Sequence, residues 1–562
     1  MTALIECVPN FSEGRNPEVI RQITEAIAAV DGATLLHVDP GADTNRTVVT
    51  FAGAPEAVVE AAFRGIRRAS ELIDMRQHRG THPRMGATDV CPLVPISGIT
   101  LEETARHAER LAERVGRELA IPVFLYEAAQ KNPARQSLAA IRAGEYEGLP
   151  RKLTRPEWRP DHGPAEFSPR SGATVIGARG FLVAFNVNLN TTSTRRANAI
   201  AFDVREAGRP RREENPITGP VVRDTSGNPV MVPGTLKAVK AIGWYVAEYG
   251  IAQVSMNLTD LEVTPLHVAF EEVRRAADAR GVRVTGAELV GLVPRSAMLA
   301  AGRYYLASQR RSLGVPEAEL IRIAVKSMGL AELAPFRPEE RIIEYRLRQP
   351  DDRLARLPLR GFVEEVAAER PAPGGGSVSA ALGALAAALG TMVANLSAHK
   401  PGWDERWEGF SQWAERGQTL LAELLGLVDA DSRAFDGVIR ALGLPKGTPE
   451  EAATRQAAIG AANLEATEVP FRVMKLTYES LDLIEAMASG GVPASLSDAG
   501  VAILAARAAI RGAWLNVRIN LPAFPDRARA GTLQSEATEL VRRADEREAG
   551  LLRSIEERLS KI

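Results

Sequence analysis

Apolar and polar positions along the chain follow two regimes that meet near residue 360. Before that point, short strand-like apolar runs are interleaved with amphipathic stretches of helical period; after it, helical period holds almost to the end. Asn16-Pro17-Glu18 marks a helix start: a capping side chain, a proline whose missing N–H costs nothing there, and an acid in the first turn. Ile20, Ile23, Ile27 and Val30 continue it at helical spacing. Residues 33–38 and 47–52 read as strands joined by the turn-rich DPGADTNR, and 55–74 as a second amphipathic helix. Strand, helix and strand recur at 85–96, 101–118 and 121–127, and a basic, proline-rich loop region runs over 131–171. Strand character returns at 173–189, followed by a helix over 192–206 beginning at Thr192 or Ser193 and a hairpin over 220–236 with its turn at Ser226-Gly227-Asn228. A strand at 251–258, a helix at 264–280 and a strand at 282–293 repeat the earlier order.

This order predicts two α/β (α+β) sandwich subdomains, 1–178 and 179–328. The Pro, Arg and acidic residues of 331–359 bury little, so 329–359 is expected to be a linker. Helices at about 360–369, 377–397, 406–442, 448–488, 497–520 and 533–560 predict an all-α, up-and-down helical bundle over 360–562.

A multidomain chain is also what the length requires, since 562 residues exceed one core at a prior of roughly 150 residues per domain. The 69 Lys and Arg balance 70 Asp and Glu, interspersed rather than blocked. No basic field exists to gather nucleic acid or an anionic membrane, which favours small-molecule chemistry. Cys7 and Cys91 are too few for a disulfide framework, and Glu6 and Glu13 stand where a signal peptide needs a basic start and an apolar core. A cytoplasmic protein with reduced thiols is expected. Val378 to Leu396 is uncharged and nearly long enough to span a bilayer, but it is Ala-rich and holds Ser379, Thr391 and Asn395, which suits a helix buried in a bundle.

Candidate chemistry in the first half centres on Arg79-Gly80-Thr81-His82-Pro83-Arg84-Met85-Gly86. Glycines and a proline hold His82 in a stiffened loop at the mouth of a strand, where it is either an acid–base group or a turn histidine bonded to backbone. Arg79 and Arg84 beside it would draw a carboxylated substrate. His37, within an apolar strand, reads as a core histidine, and His78 as a cation at a helix end. A metal site is not expected, because Gly80 and Pro83 break any helical face shared by His78 and His82. Asp39-Pro40-Gly41-Ala42-Asp43 and Asn45-Arg46 form a polar turn after a buried strand, either the rim of a pocket or ordinary turn chemistry. The glycine-bounded loop Gly163 to Gly172, with Glu166, Phe167 and Arg170, suits a flat heteroaromatic ligand or is an ordinary connection.

In the second half, Gly374, Gly375 and Gly376 open a small-residue helix, where backbone N–H groups either face an anion or form a tight entry capped by Ser377. The spacing is neither that of a P-loop nor that of a dinucleotide fingerprint. Ala380, Ala384 and Ala388 allow close helix packing. In LVDADSRAF, Asp431 is displaced by helical steps from Leu424, Leu427, Val428 and Phe435, so it falls on the apolar face, whereas Asp429 reads as solvated beside Arg433. Asn516 and Asn520 share a face and serve either a ligand or each other, and Asp498 reads as part of a cap with Ser497.

ECVPNFSEGR at 6–15, HVDPGADTNRTVVTF at 37–51, RGTHPRMGATDVCPLVP at 79–95, GATVIGARGFLVAFNVNL at 172–189, IAQVSMNLTD and LVGLVPRSA resemble glutamate formiminotransferase over about residues 1–330. The resemblance implies transfer of a formimino group from N-formimino-L-glutamate to tetrahydrofolate, with His82 as acid–base catalyst. It also implies a folate-binding loop including Gly163, Pro164, Glu166, Phe167, Ser168, Arg170, Ser171 and Gly172. PAPGGGSVSAALGALAAALGTMVANL, LVDADSRAF and RGAWLNVRINL are similar to formiminotetrahydrofolate cyclodeaminase, which implies Asp431 as its catalytic carboxyl. The glycines 374–376 would then shape a folate-facing helix entry. Asp39, Arg79, Arg84, Asn516 and Asn520 are the further pocket candidates, and Arg79, Arg84, Arg170 and Arg518 the expected guides for an anionic folate, with or without a polyglutamate tail. The bifunctional family is thus the expectation: tetrahydrofolate as co-substrate, no metal, no nucleic acid, no membrane and a homo-oligomer. A hairpin-like insertion at 208–235 and a longer tether depart from that family's pattern. The alternative is a folate-binding or helical assembly protein with one or neither activity.

Overall fold

The computed structural model describes residues 3–80, 82–214, 219–347 and 353–561. They form two compact units, Met1–Ala301 with Ala324–Leu347, and Gly302–Ile323 with Arg348–Ile562.

The first unit is built on strands β1 (Leu4–Cys7), β2 (Asn10–Phe11), β3 (Ala33–Gly41), β4 (Arg46–Gly53), β5 (Thr88–Ser97), β6 (Val123–Glu127) and β7 (Thr174–Ala178), in the order β1-β4-β2-β5-β7-β6 with β3 added on β4. β5, β7 and β6 run parallel, and the other pairs are antiparallel. The helices Pro17–Ala28, Pro55–Leu72 and Leu101–Leu119 cover one face, where Ile5, Cys7, Phe11, Val49, Phe51, Leu93 and Ile176 make a continuous core. Successive side chains on a strand point to opposite faces. Glu6 registers with Ala52, and both Asn10 and Asp39 with Val48, so they share with Arg46, two residues before Val48, the face without those helices.

The 131–171 region is not simply loop. Helices Leu138–Arg142 and Glu145–Lys152 form in it, and Ile141, Leu149 and Leu153 pack against Met85, Val90, Phe124 and Tyr126. The strand read at 173–189 is two strands, β7 and β8 (Val183–Leu189), in different sheets. The 208–235 insertion pairs β9 (Arg209–Pro210) with β10 (Met231–Val232); its turn places Gly227 at positive φ, and residues 215–218 lie outside the described ones. A second sheet has the order β11 (Val239–Val246), β12 (Ile251–Leu258), β8, β13 (Val284–Val290). β11 escaped the sequence reading because its apolar side chains stand on both sides: Val239 and Ala241 are buried, Ile242 and Trp244 exposed.

The expected linker 329–359 is not a loose tether. Helices Pro338–Arg341 and Ile343–Arg346 lie in it, Ile342 and Ile343 are buried, and Val293 N–H donates to the Arg341 carbonyl at 2.9 Å. Leu354 belongs to the core of the second unit. Sparse apolar anchors within a polar, charged composition made the segment look solvated; residues 348–352 lie outside the described ones. The boundary at 328 also moves. Helices Arg295–Ser308 and Glu317–Met328 went unread, and residues 302–323 between and within them pack with the helical unit. There Leu313 N–H donates to Ser411 Oγ at 2.9 Å and Asn395 Nδ2 donates to the Gly314 carbonyl at 2.9 Å.

The second unit consists of helices Leu359–Val366, Gly375–Ala398, Trp407–Leu442, Pro449–Gly490, Leu496–Asn520 and Arg527–Leu559, close to the spans expected from periodicity. Helix Gly375–Ala398 packs on the three that follow it, through buried Gly383, Ala380, Ala384, Ala386, Ala387 and Gly390; Ala388 is only half-buried. Among the described residues two helical stretches, Gly375–Ala398 and Pro493–Ala523, are long and apolar enough to cross a membrane by composition, but half or more of each apolar window is buried in the bundle.

Candidate active sites

The stretch 79–87 leads into β5, and two of its neighbours clamp it. Ala87 N–H donates to the Ser171 carbonyl at 2.8 Å and Ala173 N–H to the Met85 carbonyl at 3.1 Å. Gly172 makes this approach possible, with φ +67 and no room for a Cβ against Met85. On the other side Asn45 holds the loop, Nδ2 donating to the Arg79 carbonyl at 3.0 Å and Oδ1 accepting from Gly14 N–H at 3.0 Å.

His82 is half-buried in this frame. Its Nδ1 lies 2.7 Å from the Pro83 carbonyl, and its Nε2 meets the Arg46 guanidinium. A carbonyl only accepts and a guanidinium only donates, so the ring is the neutral Nδ1–H tautomer with its lone pair on Nε2. Burial, then Arg46 and Arg142, pull its pKa down to about 4. The imidazole is therefore an unprotonated base at neutral pH. Behind it Asp89, fully buried, accepts from Met85 N–H at 2.9 Å and pairs with Arg142. Burial raises the Asp89 pKa. Arg46 is half-buried too, burial lowers its pKa, and among the described residues it has no carboxylate within ion-pair distance.

The other histidine readings sharpen. His37 lies on β3, half-buried rather than in the core. His78 is no free cation at a helix end: Nε2 donates to the Asn45 carbonyl at 2.9 Å, Nδ1 accepts from Arg84 Nε at 3.3 Å, and burial lowers its pKa. Arg84 in turn is buried and paired with Glu145 at 3.1 Å and Glu147 at 2.6 Å, so it is committed to the fold rather than open to an incoming anion. Arg170 is likewise spent on the carbonyls of Ser70 and Glu71 at the end of helix Pro55–Leu72. Arg79 is exposed, bonded to the His78 carbonyl at 2.7 Å, and Arg518 is exposed beside Trp514.

Loop 163–172 spans two places. Gly163, at φ +80, touches Gly116 and Ile121 near the end of helix Leu101–Leu119, whereas Ser171 and Gly172 sit against Met85 to Ala87. Ser168 and Ser171 hydroxyls are 2.7 Å apart, and Phe167 leans on Tyr146 with ring centres 5.4 Å apart. Pro164 is half-buried and Glu166 exposed. Asp39 is exposed on the same sheet face as Arg46.

In the second unit the three glycines receive a carboxylate. A Cβ on Gly376 would collide with the Asp431 carboxyl oxygens, and a Cβ on Gly375 would meet Asn516 Nδ2 at 3.2 Å. Asp431 thus lies against the N-terminus of helix Gly375–Ala398, accepting from the Ser377 hydroxyl at 3.1 Å and from Ser377 N–H. Both bonds favour the charged form, but burial outweighs them and raises the pKa. Ser377 is not the cap. Gly374 is, and the Ser377 hydroxyl, inside the first turn, also reaches the Val428 carbonyl at 2.8 Å. Of the two aspartates of the DAD run, only Asp429 departs from expectation. Asp429, read as solvated, is buried and accepts from Leu354 N–H at 2.8 Å and Ala355 N–H at 3.0 Å, while Phe435 is exposed. Asn516 Nδ2 donates within its own helix to the Gly512 carbonyl at 2.9 Å. Asn520 donates to the Ala466 carbonyl at 2.7 Å, a tie between helices rather than a partner for Asn516. Ser497 and Asp498 lie inside a helix whose first residue is Leu496, so neither is its cap.

Models of three families match along the chain: the formiminotransferase domain, N-terminal subdomain, over residues 4–179, the formiminotransferase domain over 184–348, and formiminotransferase-cyclodeaminase over 358–539. The chain is 44% identical to the formimidoyltransferase-cyclodeaminase of Mus musculus over 560 residues, 99% of this chain and 100% of that one. The chain belongs to the formimidoyltransferase-cyclodeaminase family. Its first half alone is similar to the glutamate formimidoyltransferase of Streptococcus pyogenes serotype M1, at 42% identity over 54% of this chain and 94% of that one. A stretch covering 30% of this chain and 82% of the relative is 39% identical to the methenyltetrahydrofolate cyclohydrolase of Methylorubrum extorquens. Residues 208–235 and the tether both lie within the 99% of this chain that the Mus musculus match covers.

For a formimidoyltransferase-cyclodeaminase, the side chains that sequence reading missed are informative. Asp89 and Asn10 lie inside quoted motifs and Arg142 in none of them; Arg46 is read only as part of the polar-turn rim, although the strand alternation 46, 48, 50 against 47, 49, 51 could have put it on the face opposite Val49 and Phe51. Nothing local marks Arg142 as the partner of Asp89, 53 residues away. Glu6, buried on that same face, has its pKa raised to about 7 by burial, against the field of Arg179.

Proposed function

We propose that the chain carries both activities of its family. The first unit transfers the formimino group of N-formimino-L-glutamate to N5 of tetrahydrofolate. The second closes 5-formiminotetrahydrofolate to 5,10-methenyltetrahydrofolate and releases ammonia. The observation that carries the reading is one desolvated acid–base group per unit, a neutral His82 and a raised-pKa Asp431, each held by several backbone and side-chain bonds. N5 attacks the amidine carbon and loses a proton to His82 Nε2; the same proton goes to the departing glutamate nitrogen as the adduct collapses. In the second step Asp431, at the helix entry, protonates the departing nitrogen and takes the N10 proton, so one carboxyl serves as acid and then as base.

Folate lies along loop 163–172 in the first unit and at the 374–376 entry in the second, with Asp39 and Arg79 at the first pocket's rim and Asn516 beside the second. An anionic folate, with a polyglutamate tail where present, is drawn by the exposed Arg79 and Arg518, whereas Arg84 is paired with two glutamates and Arg170 is bonded to the carbonyls of Ser70 and Glu71. We further infer a cytoplasmic homo-oligomer, supported by exposed Leu385, Met392 and Leu396 along one stripe of the central bundle helix.

The test supplies formiminoglutamate and tetrahydrofolate to the wild type, to His82→Ala and to Asp431→Asn. His82→Ala should form no 5-formimino intermediate, and Asp431→Asn should accumulate it without methenyl product or ammonia. Wild-type rates in either variant would support the alternative, a folate-binding or assembly protein whose chemistry lies elsewhere.

A further inference from the structure

Arg46 is a buried-side cation with a peculiar partner. It stands at the first residue of β4 on the sheet face it shares with Asp39, it is half-buried, and no carboxylate among the described residues lies within ion-pair distance of it. The nearby acids are otherwise placed: Asp89 is taken by Arg142 and Met85 N–H, and Asp39 acts on Arg46 only through its field. The guanidinium instead donates to His82 Nε2, the nitrogen whose lone pair the transfer chemistry needs. Nδ1 cannot take over that role, since its proton is held by the Pro83 carbonyl at 2.7 Å. The base is therefore masked by a cation that has no carboxylate partner among the described residues.

We propose that Arg46 is the receptor for a carboxylate of the formimino donor, and that its transfer from His82 Nε2 to that carboxylate unmasks the base. This rests on the reading of His82 as the transfer base. A carboxylate offers two oxygens to the guanidinium fork and is a stronger acceptor than a neutral imidazole nitrogen, so the exchange is favourable as soon as an anionic donor arrives. A donor without carboxylates leaves Arg46 on His82. Pairing Arg46 also removes one of the two cations that act on the imidazole, leaving Arg142, itself paired with Asp89, so the proton taken from N5 is better tolerated on the ring. Arg46 is a specificity-determining and positioning residue in this scheme: it reads the donor's charge and controls access to the base.

Two measurements test it. Selectivity is read as kcat/KM for formiminoglutamate over that for formamidine, a formimino donor without carboxylates. Arg46→Gln should lower this ratio by roughly 10- to 100-fold, the size of one charge-assisted bond, mainly through KM for formiminoglutamate, with Arg46→Lys in between. In the wild type, imidazole NMR of the seven histidines, with the His82 signal assigned by its absence in His82→Ala, should show the His82 titration moving to higher pH when glutamate is added. In Arg46→Gln it should stay unmoved by glutamate. An unchanged selectivity ratio in Arg46→Gln, or a His82 signal in the wild type indifferent to saturating glutamate, overturns the proposal. If His82→Ala transfers formimino groups at the wild-type rate, the base assignment itself fails; if His82→Ala is inactive while Arg46→Gln keeps its selectivity, only the masking role fails.

Discussion

At the scale of single residues, both candidate sites depend on taking an ionisable group partly out of water. For His82 the sign is that of a base held neutral. Its folded pKa, about 4, lies below the usual 6.5, so between these values the unfolded chain binds the proton more readily than the folded one. Stability should rise with pH across that window and be lost progressively as the solution is acidified from about 6.5 to about 4. Thermal melts of His82→Gln and wild type at pH 7.5 and pH 5 check this, with the variant gaining relative to wild type at pH 5. The same substitution should lower the rate of formimino transfer by about 10²- to 10⁴-fold, the contribution of a positioned acid–base group. Asp431 runs the other way. Its folded pKa is raised from the usual 3.8, so the folded state holds the proton more tightly, and stability falls as pH rises through that window. Asp431→Asn is then expected to melt higher than wild type at pH 7 while losing cyclisation, a combination that a structural aspartate would not produce.

At the scale of elements, the glycine run before the central bundle helix is a seat for a side chain from the next helix. Gly376→Ala places a methyl where the Asp431 carboxyl lies. We expect cyclisation to fall by about 10²-fold, as for a reacting group displaced by an ångström, with formimino transfer unchanged; coupled assay of the two products in one sample reads both. Asp429, two residues from Asp431 on the same helix, does different work. Its carboxylate satisfies Leu354 and Ala355 N–H groups and fixes the chain that enters the bundle. Asp429→Ala leaves those donors unpaired and should cost about 1–3 kcal/mol, read from denaturant unfolding of the helical unit, with cleavage near residue 354 accelerated in limited proteolysis.

At the scale of the whole molecule, two units with separate cores each hold one candidate site. The activities should therefore separate cleanly by mutation. A mixture of His82→Ala and Asp431→Asn proteins is expected to convert formiminoglutamate and tetrahydrofolate to methenyltetrahydrofolate after a lag, because the intermediate made on one protein is completed on the other. A mixture that makes no methenyl product would show that the intermediate is not exchanged between molecules.

Local pattern determined much of this protein. Period and caps set the bundle helices to within a few residues, strand alternation set most of the first sheet, and the THPRMG and DAD segments carried His82 and Asp431. These are short-range properties, in which spacing alone fixes which side chains share a face. What lay beyond the sequence were partnerships across long separations. The tether became two packed segments because Ile342, Ile343 and Leu354 found cores far along the chain. Residues 302–323 joined the helical unit through Gly314 and Ser411. Asp429 and Asp431 were separated into structural and candidate catalytic roles by what lay opposite each. Only the fold brought Arg46 onto His82, 36 residues away, with no carboxylate among the described residues within ion-pair distance of it. Burial and charge pairing are set by neighbours in space, and so the state of the imidazole was decided by tertiary structure.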